Sequence, residues 1–304
     1  MSVAAPVTQE ELIHKIMDSV KLADIISIPK LKEEYKSIIL QIHPDRCAHS
    51  DAADATAKLN SYKDRYENGV ELKDDAGALN TNDYRIRFKG DKAALSESLD
   101  NYTRLKKIGE KGINWFLPDT MKLEGNELVA EFGVDEDKLP ERVPIRAIPL
   151  TNVNLPQEHV NWVLNRILEF TALLEMKGYS HMGINPESVY FLPDEHLIKV
   201  VSFYHMTRLG GRPKTISAQY QNWYPKQLFE TKTAYPKVDS DMAKKLAVYL
   251  MGDKSGVGIR LKKTHHRAFL DFVLSNHEDS RGCFLKYREF LKENFPKKFI
   301  ELKM

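Results

Sequence analysis

The stretch LKEEYKSIILQIHPDR, residues 31–46, decides how the amino-terminal part of the chain folds. Leu31, Tyr35, Ile38, Ile39 and Ile42 recur at the spacing of one helix face, which predicts an amphipathic helix over 31–42. His43-Pro44-Asp45 ends it, because proline disfavours helical geometry in the residue before it and brings no amide donor. A second helix is expected to begin near Ser50 as N-cap, with Asp51 in its first turn. Its apolar stripe is Ala52, Ala55, Leu59, Tyr62 and Tyr66, and Asn68-Gly69 supplies the stop. Two antiparallel helices joined by a short polar loop are the expected result.

Leu22-Ala23-Asp24, Tyr35, His43-Pro44-Asp45, Leu59-Asn60 and Glu67-Asn68 stand in an order that resembles the J domain, and most closely its auxilin-type subclass. The resemblance covers roughly residues 8–69. It implies docking onto a DnaK-type, ATP-driven chaperone of the seventy-kilodalton class and stimulation of its ATP hydrolysis. The chemistry of the loop suits such a role. Pro44 fixes Asp45, a short acceptor fitted to a charge-assisted hydrogen bond with a partner arginine. His43 adds a directional polar contact, and Lys32, Lys36 and Arg46 offer positive charge to an acidic partner surface. Glu33 and Glu34 dilute that positive face.

The rest of the composition bounds the molecule. At roughly 150 residues per domain, 304 residues imply two domains. Hydrophobic residues at 42% and charged residues at 29% fit a folded globular chain rather than a disordered one. The net charge is +2, from 45 basic and 43 acidic residues, so a global electrostatic grip on nucleic acid or membrane is not expected. Two cysteines, Cys47 and Cys283, cannot build a disulfide framework or a four-thiolate zinc site. No apolar run of membrane-spanning length occurs, and the first residues lack a basic segment followed by an apolar core. A cytoplasmic location is the expectation.

Beyond the helical module, 70–83 is polar and weakly patterned and is expected to be a linker. Strand-like alternation starts at Tyr84 and runs to Phe88, followed by a helix over about 92–108. Strands are expected near 120–123 and 128–132, with Glu124-Gly125-Asn126 as the turn between them. From Pro156 the chain turns mainly helical. Val160, Val163, Leu164, Ile167, Thr171 and Leu174 share one helix face, and SVYFLPDEHLIKVV reads as a small hairpin. Strands first and helices after predict an α+β domain rather than alternating βαβ units.

Residues 178–191, GYSHMGINPESVYF, resemble a protein-kinase catalytic loop, whose pattern is His-Arg-Asp-Leu-Lys-Pro-Glu-Asn before an apolar strand. His181, Pro186 and Glu187 match it. Ile198 to Tyr204 resembles the strand and Asp-Phe-Gly segment that follow, and Asp239-Ser240-Asp241 resembles the start of the central helix. The fold class implied is an all-helical J domain (1–69) followed by a two-lobed protein-kinase-like domain. In that scheme 84–150 is the smaller lobe and 151–304 the larger.

The departures from the pattern decide the expected chemistry. Gly183 stands where the proton-accepting aspartate belongs, Asn185 replaces the lysine, and Ser188 replaces the metal-binding asparagine. Ser202 replaces the magnesium-binding aspartate. Phosphoryl transfer depends on metal-held charge neutralisation and positioning, so a site without either aspartate implies a pseudokinase. Arg87 or Lys89 is the candidate for the strand lysine, with Asn101 or Glu97 opposite it, while His181 and Asp241 are expected to brace the loop from below.

Smaller signals add little. Lys262, Lys263, His265, His266 and Arg267 form a basic cluster that reads as a solvated helix start, and Cys47 reads as a surface thiol. The ten histidines show no zincin spacing, so neither metal nor cofactor is expected. Trp162, Trp223 and Tyr249 read as core. The function implied is a co-chaperone whose inactive kinase-like domain recruits a client. The alternatives are an atypical kinase or nucleotide-binding enzyme, or an interaction protein whose helices bind something other than a chaperone.

Overall fold

The structure, a computed structural model, describes residues 7–19, 22–27, 30–81, 85–109, 111–132, 147–193, 195–263 and 266–295. The chain divides into two compact units, Met1–Val70 and Glu71–Lys303.

In the first unit, α1 (Gln9–Asp18) starts with a capping box. The Thr8 hydroxyl accepts the Glu11 amide proton at 3.2 Å, and the Glu11 carboxylate accepts that of Thr8 at 2.9 Å. A turn of 3-10 helix, Leu22–Asp24, leads to α2 (Leu31–Ile42) and α3 (Ala52–Asn68). Asp51 rather than Ser50 occupies the cap position of α3, and Gly69 closes its other end at φ +71°. The core gathers Leu12, Ile13 and Ile16 of α1, Ile38 and Ile42 of α2, and Ala52, Ala55 and Leu59 of α3. Cys47 belongs to this core too. The expected surface thiol is buried, because the loop after Asp45 turns inward there. The Tyr35 hydroxyl donates to Asn60 Oδ1 at 2.6 Å, and that of Tyr62 to the Ser19 carbonyl at 2.9 Å, pinning α3 to both neighbouring segments.

The second unit mixes helices with antiparallel sheets. The segment expected to be a linker is a β-hairpin, β1 (Val70–Asp74) and β2 (Gly77–Thr81). It escapes detection because its strands carry few β-branched residues. The turn chemistry nonetheless defines it: Asp74 Oδ1 accepts the amide protons of Ala76 and Gly77 at 2.8 and 3.3 Å, and Gly77 takes φ +144°. With β3 (Arg85–Gly90), β4 (Thr120–Glu124) and β5 (Glu127–Glu131), the hairpin forms a sheet of order β1-β2-β3-β5-β4. Tyr84, the expected first residue of β3, lies outside the described residues. Ile86 and Phe88 point inward from β3. The other face carries Arg85 paired with Glu131 and Arg87 with Glu127.

Between β3 and β4 runs α4 (Lys92–Ile108), capped by Asp91, whose carboxylate accepts the Ala94 amide proton at 2.8 Å. The short α5 (Lys111–Asn114) follows. Further on, α6 (Gln157–Met176) buries the expected stripe of Val160, Val163, Leu164, Ile167, Thr171 and Leu174. It is followed by β7 (Tyr179–Ser180), then by the expected hairpin β8 (Val189–Leu192) and β9 (Leu197–Val200), with β6 (Ile148–Pro149) added to its edge. β10 (Thr207–Arg208) pairs with β7. Four helices close the unit: α7 (Lys226–Thr231), α8 (Lys237–Leu250), α9 (Arg267–Leu274) and α10 (Ser280–Asn294). Trp223 and Tyr249 are buried as expected, and Trp162 is half-buried. Among the described residues no helix is long and apolar enough to cross a membrane.

Candidate functional site

Two places concentrate the residues singled out in the sequence. In the first unit, His43 ends α2 in an extended conformation, and its carbonyl accepts the amide protons of Arg46 and Cys47 at 2.8 and 3.0 Å. That tight turn, anchored below by buried Cys47, holds Pro44, Asp45 and Arg46 out in solvent. The Asp45 side chain is 86% exposed, and Oδ2 lies 3.5 Å from His43 Nδ1. The Asp45 amide donates to that nitrogen at 3.3 Å, which fixes the His43 ring against the turn.

Lys32 and Lys36 are exposed on α2, away from buried Ile38 and Ile42. Of the two glutamates expected to dilute them, Glu34 turns aside to accept the Ser27 amide proton at 2.8 Å. Glu33 alone stays on the exposed face.

In the second unit, the loop 181–188 is buried almost throughout. His181 is fully buried between the rings of Phe170 and Phe203, with centroids 6.0 and 5.6 Å away. Burial, helped by the neighbouring charge of His205, pushes its pKa down to about 3, so the imidazole is neutral. The backbone beneath it is braced, but not by Asp241. Asp239 accepts the amide protons of His181 and Met182 at 2.6 and 2.8 Å, while Asp241 pairs with Lys244 and Lys237 at 3.0 and 3.5 Å. Helix phase explains the correction: Asp239 lies among the buried residues Val238, Ser240, Met242 and Ala243, and Asp241 faces outward. Burial pushes Asp239 up to about 6, with the two amide bonds resisting the rise. The brace also holds Met182 at φ +61°, a conformation costly for a side chain of that size.

The positions that depart from the kinase pattern are all occupied within the chain. A Cβ added at Gly183 would lie 3.0 Å from His205 Cδ2. Asn185 Oδ1 accepts the amide protons of Glu187 and Ser188 at 3.1 and 2.8 Å, and the Ser188 hydroxyl returns a bond to the Asn185 carbonyl at 3.1 Å. Asn185 Oδ1 and the Ser188 hydroxyl are therefore both engaged within the loop. The Ser202 hydroxyl faces Asp74 Oδ2 at 3.5 Å, and Tyr204 donates to the same oxygen at 2.9 Å. Burial raises the Asp74 carboxyl above its ordinary range.

The adjacent Asp75 lies 3.2 Å from His205 Nε2, whose Nδ1 meets the Thr215 hydroxyl at 2.8 Å. Burial pushes the Asp75 carboxyl up, but hydrogen bonds from His205 and Ser217 outweigh it and hold it low. The tip of the β1–β2 hairpin thus delivers two carboxylates to the place that Ser202 and Gly183 border.

The strand cations do not reach α4. Lys89, 71% exposed, and Arg87 both pair with Glu127 on the outward face of the sheet, at 3.5 and 3.3 Å, while Phe88 takes the inward position between them. A period of two sends Arg87 and Lys89 to the face opposite Ile86 and Phe88. Asn101, instead of meeting a strand cation, donates to the Phe203 carbonyl at 2.9 Å, and Ser98 Oγ accepts the Phe203 amide proton at 3.1 Å. Glu97 pairs with Lys214 at 2.7 Å.

A cleft of about 600 Å³ opens beside Glu187, lined also by Tyr220, Trp223, Tyr249 and Lys254. Glu187 Oε1 accepts the Tyr220 hydroxyl proton at 2.9 Å.

Asp74, Asp75, His205 and Asp239 escape the reading of the sequence. Only the Asp-Asp-Ala-Gly turn at the hairpin tip and the phase of α8 carry a signal for them. Of the basic cluster near residue 265, His266 caps α9, accepting the Phe269 amide proton at 3.4 Å. His265 and the Lys263 side chain lie outside the described residues. The sequence matches no known family model, and comparison with curated proteins yields no match.

Proposed function

We propose that the chain is a co-chaperone: its first unit docks on a DnaK-type chaperone and stimulates ATP hydrolysis, and its second is an inactive, kinase-like platform for a client. The observation that carries this reading is the presentation of an ordered His43 ring and an exposed Asp45 carboxylate on one tight turn between α2 and α3. Arg46 is exposed next to it, and Lys32 and Lys36 are exposed along α2, so this part of the unit offers positive charge to an acidic partner surface. The Leu59 and Tyr35 positions of the resemblance serve as core and as a tie to Asn60.

For the second unit, the inactive reading is supported by how the departures are used. Gly183 is matched by His205, Asn185 by Ser188, and Ser202 by Asp74. In the kinase-like reading, a polyphosphate brought beside Ser202 would meet the Asp74 carboxylate of the β1–β2 turn, and like charge opposes it. Binding of the full chain to a DnaK-type chaperone in its ATP state, followed by surface plasmon resonance, tests the proposal. Binding lost in Asp45→Asn is expected, and unchanged binding by that variant overturns it.

A further inference from the structure

We propose that Glu10, His14 and His49 form a site for a divalent late transition metal ion of the zinc class. Glu10 and His14 lie one helical turn apart on the same face of α1, and His49 comes from the loop between His43-Pro44-Asp45 and α3. One ligand atom from each residue lies within 4.8 Å of the other two. The rings of His14 and His49 meet edge to face at 90°, with centroids 5.9 Å apart. Two imidazoles bound tetrahedrally to one ion through bonds of about 2 Å hold their centroids about 5 Å apart, so a small rotation of exposed side chains closes the site. Among the described residues neither Glu10 nor His14 has a hydrogen-bond or ion-pair partner that would have to be broken.

The donor set selects the metal. Two imidazole nitrogens and one carboxylate suit zinc, nickel or copper, whereas magnesium and calcium demand a shell of oxygens. Solvent supplies the remaining position. Sequence spacing hides the site because the third ligand is far from the first two along the chain.

His49 makes the binding visible. Its Nδ1 accepts the Asp51 amide proton at 3.1 Å, so in the neutral metal-free ring Nε2 carries the proton. Coordination through Nε2 sends that proton to Nδ1 and gives up the bond to Asp51. A bound ion therefore links α1 to the loop carrying His43-Pro44-Asp45 and at the same time loosens the cap of α3. The site itself does not depend on the co-chaperone reading.

Titration of the full chain with zinc chloride and with magnesium chloride, followed by calorimetry, tests the site, together with imidazole nitrogen NMR on the wild type. One zinc ion is expected per chain and no magnesium. His14→Ala or His49→Ala should each weaken zinc binding by at least about tenfold, since loss of a mere outer-shell group already costs that much. On saturation the His49 proton should move from Nε2 to Nδ1. Absence of zinc binding, equal binding by the His14→Ala/His49→Ala double variant, or an unaltered His49 tautomer would each overturn the proposal. The NMR readout needs no variant, so a folding defect cannot mask the answer.

Discussion

Asp75 Oδ2 lies 3.2 Å from His205 Nε2, and through this contact the tip of a β-hairpin reaches the residue that fills the space beside Gly183. Removing the carboxylate leaves a buried imidazole and the Ser217 hydroxyl without their acceptor. Asp75→Ala is therefore expected to cost about 2 kcal/mol or more. Urea denaturation of the second unit's transition measures it, and a loss below about 0.5 kcal/mol would mean that the hairpin tip is not held there.

Aspartates introduced at positions 183 and 202 should not bring about phosphoryl transfer. In the double variant Gly183→Asp/Ser202→Asp, the new side chain at 183 meets His205, and the one at 202 faces Asp74. No radiolabel transfer from ATP and no magnesium-ATP-dependent rise in Tm are expected. Transfer by the double variant would show that the acidic turn is no obstacle.

Asp239 and Asp241 should separate cleanly. Asp239→Ala strands two amide groups beneath a fully buried histidine and is expected to cost about 3 kcal/mol or more. Asp241→Ala breaks pairs with Lys237 and Lys244, and Lys244 keeps its bond to the Ser275 carbonyl, so the loss should be smaller. Thermal denaturation of both variants orders them, and the reverse order would refute the brace.

Burial, resisted by the Tyr220 hydrogen bond and reinforced by Asp75 and Asp74, pushes Glu187 up to about 7 from an ordinary value of 4.5. The folded chain thus holds this proton more tightly than the unfolded chain. Its contribution to stability is complete below pH 4.5 and is lost as pH rises through 7. Glu187→Gln has no such titration, while Asp239 and His181 titrate in both chains. The Tm of the wild type should therefore fall relative to that of Glu187→Gln across this interval. A gap independent of pH would contradict the shift.

How far the sequence carried the fold depends on the strength of local signals. The helices 31–42 and 157–176 carry apolar stripes long enough to be unambiguous, and Gly125 and Gly69 mark a turn and a helix stop. The β1–β2 hairpin is hidden because VELKDDAGALNT carries few branched residues and no clear strand alternation. Asp239 and Asp241, two acids two residues apart, look alike in sequence until helix phase separates them. Lys89 illustrates the same limit for a strand: a shift of one residue sends the side chain to the other face and puts Phe88 inside. The contact of Asp74 with Ser202 joins segments 128 residues apart, and no local pattern announces it.

The central claim is that the His43–Asp45 loop drives a chaperone's ATP hydrolysis. Single-turnover ATP hydrolysis by a DnaK-type chaperone, measured with the wild-type chain and with His43→Gln and Asp45→Asn, tests it most directly. The account predicts stimulation by the wild type and its loss, by about tenfold or more, in both variants, since a charge-assisted contact at a docking centre accounts for at least about 1.4 kcal/mol. Equal stimulation by all three chains, or none by the wild type, would contradict it.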